Sequence, residues 1–120
     1  MSIKITPHKL GGSFIANTPG VVLQTLVAPA SNTNGIRINA VWIYHAPAPG
    51  GRLMSKSSAP LAWDDATAKT IACGANETTY ASQYFSGGVG LPVIVPPGDG
   101  LYYQGSGAGA SYLNVNAEVL

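Results

Sequence analysis

The chain has 120 residues, 46% of them hydrophobic and only 9% charged, and its six Lys and Arg against five Asp and Glu leave a formal net charge of +1. That length suits one domain with its own core, and a single cysteine, Cys73, rules out an intramolecular disulfide. Lys4, Lys9, Arg37, Arg52, Lys56 and Lys69 are scattered along the chain, which argues against nucleic acid as a partner, because phosphate recognition needs grouped cations.

Residues 1–9 read as an N-terminal arm, and residues 10–120 as one domain. The arm lacks the apolar run of a signal peptide. No segment approaches the roughly 20 apolar residues of a membrane helix, so no membrane partner is expected. Fifteen glycines and nine prolines punctuate the sequence too closely for a long helix. The segments between them are rich in Val, Ile, Thr and Tyr, which suit pleated surfaces.

In chain order, strands are expected over residues 13–17, 20–28 and 36–45. In the last of these, strict alternation puts Ile36, Ile38, Ala40, Trp42 and Tyr44 on one face and Arg37 and Asn39 on the other. Val41 and Ile43 make the second face apolar as well, which implies cover on both sides of that half. Further strands are expected over residues 52–56, 69–73, 78–85, 91–95 and 100–104. Residues 58–68 form the least regular stretch, an open loop or a single helical turn. Pro96-Pro97-Gly98-Asp99 reads as a type II turn, with Pro fixing φ and Gly accepting a positive one.

The final strand, residues 111–119, alternates cleanly. Leu113, Val115, Ala117 and Val119 share one face, and Tyr112, Asn114, Asn116 and Glu118 share the other, a strand with one wet side. About eight strands without βα alternation predict an all-β fold: a single antiparallel β-sandwich of jelly-roll form.

Catalytic chemistry is sparse. His8 and His45 are the two histidines and lack the partners of a metal motif. Cys73 has no CxxC neighbour and reads as a small hydrophobe. Asp64 and Asp65 are the one carboxylate pair, with a loop-capping role favoured over a shared proton or metal. Asn76-Glu77-Thr78 fits a glycosylation sequon, without an export signal to make use of it. The glycines of residues 105–109 lie between strands, where no helix N-terminus follows to hold phosphate. No enzyme activity, metal or cofactor is expected.

Aromatic residues carry more information. Tyr102 and Tyr103 are consecutive, so in a regular strand one of them faces away from the core. Tyr112 lies on the polar side of the last strand. Together with Asn114, Asn116 and Glu118, these residues form the expected interface set, because tyrosine offers a large amphipathic contact area. The sparse charge points the same way, to a surface partly covered by copies of the chain or by a partner.

The run from Leu91 through Pro96-Pro97-Gly98-Asp99-Gly100-Leu101-Tyr102-Tyr103, closing on Tyr112 to Leu120 with Glu118-Val119-Leu120 at its end, resembles small structural proteins of tailed bacteriophages. The resemblance covers about the last quarter of the chain. It implies a virion component assembled in the host cytoplasm, of the head decoration or cement type. A protein of that type is a dimer or trimer that docks on the major capsid protein or another virion protein, with residues 1–9 reaching along a neighbour. The competing reading is a receptor- or carbohydrate-binding module of a tail fibre or baseplate. Its ligand loop would be Trp63, Asp64 and Asp65, with Asn32, Asn34 and Tyr103 as further candidates.

Overall fold

A computed structural model describes residues 12–17, 22–45, 50–74, 79–81, 92–107 and 111–120. The expected arm of residues 1–9, His8, the sequon at 76–78 and Tyr84 lie outside the described residues, as do residues 82–91 and parts of the expected strands at 20–28 and 78–85.

Among the described residues there are nine strands. They are β1 (Gly12–Asn17), β2 (Gln24–Val27), β3 (Ile36–His45), β4 (Gly51–Lys56), β5 (Lys69–Gly74), β6 (Thr79–Ala81), β7 (Val93–Val95), β8 (Gly100–Gly105) and β9 (Ser111–Val119). One 3-10 turn occupies Pro29–Ser31. The strands form two antiparallel sheets, an all-β sandwich. The first runs β1-β9-β3-β6, with β7 also paired to β3, and the second runs β2-β8-β4-β5. Pairing is nested: β1 with β9, β2 with β8, β3 with β6 and β7, β4 with β5. The chain is thus a long hairpin, with its tip between β4 and β5, folded over so that β8 also meets β4 and β9 also meets β3.

The core lies between the sheets. Ile36, Ile38, Val41, Ile43, Leu113, Val115 and Ala117 from the first sheet meet Val27, Leu53, Ile71, Ala72, Leu101 and Tyr103 from the second. Burying side chains of this kind stabilises by about 1.5–3 kcal/mol each relative to exposure.

The alternation expected for β3 fails at one place. The register shifts between Ile38 and Ala40, so Asn39 is an extra residue opposite β9. This bulge reverses the phase. Ile36, Ile38, Val41 and Ile43 all face the core, while Ala40, Trp42 and Tyr44 join Arg37 on the outside. The apolar second half therefore reflects a change of face at the bulge. β5 carries a comparable shift opposite Leu53 and Met54, which lets both Ile71 and Ala72 reach the core.

The consecutive tyrosines do face opposite ways, yet both are buried. Tyr103 is 1% exposed in the main core, and Tyr102 is 2% exposed in a second cluster with Met54, Ala68 and the partly buried Leu23. A third layer, the 57–68 connection, lies against this outer side of the second sheet. Each ring rests over a glycine: a Cβ on Gly51 would meet the Tyr103 ring, and one on Gly100 the Tyr102 ring. Neither tyrosine belongs to an open interface, which corrects their placement in the expected set.

The Pro96–Asp99 turn forms as the sequence implies. Asp99 N donates to the Pro96 carbonyl at 3.2 Å, and Gly98 has φ +86°. Asn32 clamps this turn to the β2–β3 connection. Its side-chain amide donates to the Pro96 and Asp99 carbonyls at 2.8 and 2.9 Å, and its Oδ1 accepts from Gly35 N at 2.7 Å. At 2% exposure Asn32 is a structural clamp, which takes it out of the ligand candidates.

Candidate functional site

Two surfaces collect the residues singled out by the sequence, one on each outer face of the sandwich.

On the first sheet, β3 and β9 run side by side and place Tyr44 opposite Tyr112, Trp42 opposite Asn114, Ala40 opposite Asn116 and Arg37 opposite Glu118. The Tyr44 and Tyr112 rings are 6.0 Å apart and tilted by 42°, within the usual range for aromatic pairs. Asn39 Nδ2 donates to Asn116 Oδ1 at 3.2 Å. Arg37 and Glu118 approach to 3.6 Å, a half-exposed pair that orders the two side chains more than it stabilises them. Tyr112 is 40% exposed and Asn114 is exposed. The face thus grades from aromatic rings at one end, through amides, to an ion pair at the other. Beyond that pair lie Ile94 at 56% and Leu120 at 39% exposure, both within 4 Å of the Cβ position of Gly35. Four of the six expected interface residues, Tyr112, Asn114, Asn116 and Glu118, are brought together here.

The second surface is built around Arg52 on β4. Its Nε donates to Thr70 Oγ1 at 2.8 Å, Nη1 to the Trp63 and Asp65 carbonyls at 2.9 Å each, and Nη2 to the Ala68 carbonyl at 2.7 Å. The guanidinium therefore pins the irregular 57–68 loop to the sheet. Asp65 organises the loop from within. Its carboxylate accepts from Lys56 Nζ at 2.9 Å, from Leu61 N at 3.0 Å, and from Thr67 N and Oγ1 at 2.9 and 2.6 Å. Led by the Thr67 hydroxyl, these donors hold the carboxyl well below its ordinary pKa. A carboxylate so committed is a loop cap, in line with the capping role expected of the acid pair. Asp64, its neighbour, is exposed.

The loop and sheet enclose an open pocket of about 300 Å³, lined by Arg52, Trp63, Asp64, Asp65, Ala66, Thr70 and Cys73. All three residues of the expected ligand loop line it, but only Trp63 and Asp64 have side chains not already spent on holding the loop. Burial pushes the Cys73 thiol pKa up, against the opposing pull of Arg52, so the thiol stays protonated near neutral pH, which is unlike a nucleophile. Among the described residues, no three His, Cys, Asp or Glu side chains come together as a metal site requires. No helix among them is long and apolar enough to cross a membrane.

Sequence reasoning missed Arg52 as an organising residue. The available signal was weak: an arginine beside Leu53 and Met54 in a strand that leads into the irregular 57–68 loop. A half-buried guanidinium must find hydrogen-bond acceptors.

Comparison with protein-family models, with curated proteins and with solved structures finds no match to this chain.

Proposed function

We propose that this chain is a non-enzymatic assembly module: a virion structural protein of a tailed bacteriophage, of the capsid decoration type, docking through the outer face of its first sheet. The observation that carries this reading is the aromatic and amide face of β3 and β9. There the tilted rings of Tyr44 and Tyr112 pair at 6.0 Å and Asn114 is exposed, with Ile94 and Leu120 exposed at the far end. Exposed apolar side chains set among hydrogen-bonding amides suit a contact surface. The nested strand pairing supports a jelly roll, an architecture common in capsid proteins. The resemblance of the C-terminal quarter to phage structural proteins supports the virion context.

A dimer or trimer is the expected state, its copies meeting through the Tyr44–Tyr112 end of the same face, since a chain with so little charge is kept apart from its copies by little repulsion. The test is cosedimentation of the purified chain with shells of the major capsid protein encoded in the same genome. Saturable binding supports the reading, and a chain left wholly in the supernatant contradicts it.

A specific observation also favours a second reading, ligand recognition of the kind a tail-fibre or baseplate module performs. Trp63 and Asp64 sit together at an open pocket, as that reading requires.

A further inference from the structure

The pocket on the second sheet has a chemistry of its own. Arg52 carries five N–H groups, and four of them hold Thr70 and the Trp63, Asp65 and Ala68 carbonyls. One Nη2–H is left over. Among the described residues no carboxylate pairs with this guanidinium, because Asp65 turns to Lys56. The Trp63 ring and Ala66 supply an apolar wall, and Asp64 supplies a carboxylate with no side-chain hydrogen bond among the described residues. The site thus offers one aromatic surface, one spare cationic donor and one spare anionic acceptor within about 300 Å³, a volume at the lower end for small-ligand pockets.

We propose that this pocket is a binding subsite for a single neutral pyranose unit. A pyranose presents a C–H face that packs on an indole, hydroxyl donors for a carboxylate and ring or hydroxyl oxygens for an N–H. An acidic ligand fits less well: four of the five Arg52 donors are already used, and Asp64 repels it. A purely apolar side chain of a partner protein would leave both Asp64 and the Arg52 donor unmatched as water is excluded. The inference goes beyond the docking reading, uses the opposite face of the sandwich and deepens the ligand-recognition reading.

The test is a titration of the full chain, labelled with nitrogen-15, with the methyl glycosides of glucose, galactose, mannose and N-acetylglucosamine. The indole signals of Trp42 and Trp63 are assigned with Trp63→Phe. At least one glycoside is expected to move the Trp63 indole signal saturably, with a Kd on the order of 1 mM, and to leave Trp42 in place. Asp64→Asn is expected to weaken that binding about tenfold, the effect of losing one charged hydrogen-bond partner, with an unchanged thermal melt because Asp64 is exposed. The proposal is overturned if no glycoside moves the Trp63 signal, if the shift falls on Trp42 instead, or if Asp64→Asn binds as well as the parent. Tyr112→Glu is the control that separates the two readings: it acts on the docking face and leaves the glycoside titration unaltered.

Discussion

The hydroxyls of Tyr103 and Ser111 meet at 2.6 Å, joining β8 of one sheet to β9 of the other inside the core. Tyr103 reaches this point because Gly51 leaves the room for its ring. Removing the hydroxyl leaves Ser111 buried, at 2% exposure, without this partner. Tyr103→Phe is therefore expected to destabilise the fold by about 1–2 kcal/mol, read as a lower midpoint in urea unfolding with an unchanged slope.

The two glycines Gly51 and Gly98 separate steric from conformational cost. A Cβ on Gly51 would stand 2.8 and 2.9 Å from ring carbons of Tyr103, so Gly51→Ala must displace a packed aromatic and is expected to cost about 3 kcal/mol. At Gly98 nothing lies within 4 Å, but φ is +86°, so Gly98→Ala is expected to cost about 1 kcal/mol through backbone strain alone. Urea unfolding of the two variants side by side should rank them in that order.

Arg52→Lys keeps the charge but loses the planar fork that spans three loop carbonyls and Thr70. A loss of about 2 kcal/mol is expected. It should concentrate in the 57–68 loop, which should become the first site of limited proteolysis and lose amide protection ahead of the core strands.

Asp65 ties stability to acid. Its folded-state pKa lies below its ordinary value of 3.8, so it binds a proton more weakly when folded. Its stabilising contribution is complete above the unfolded value and is lost as the pH falls below 3.8 toward the lower folded value. Thermal melts between about pH 5 and pH 2 should show a falling Tm, and Asp65→Asn should start lower and fall less steeply over that window.

Much of this architecture was legible in the sequence, for reasons that single residues make clear. β3 and β9 fall at the expected boundaries because their apolar residues mark a buried face and Gly or small-residue loops bound them. The Pro96–Asp99 turn was legible because Pro and Gly each impose a backbone angle. The bulge at Asn39 was not, since an unpaired residue is defined by its partner strand and leaves no local mark. Tyr102 was misplaced because alternation reveals the side a residue faces, and what covers that side, here Ala68 and Leu23, is a tertiary matter. The clamping role of Asn32, which was read as a ligand candidate, and the organising role of Arg52 were missed for a related reason: their acceptors are mostly backbone carbonyls, which every residue type supplies.

The docking face on the first sheet is the central claim, and the solution mass of the full chain tests it most directly. Light scattering is expected to give a dimer or trimer for the parent and a monomer for Tyr112→Glu, which puts a charge beside Tyr44 on the exposed aromatic pair. A parent chain that is monomeric at high concentration, or a Tyr112→Glu variant that keeps the oligomeric mass, would contradict the account.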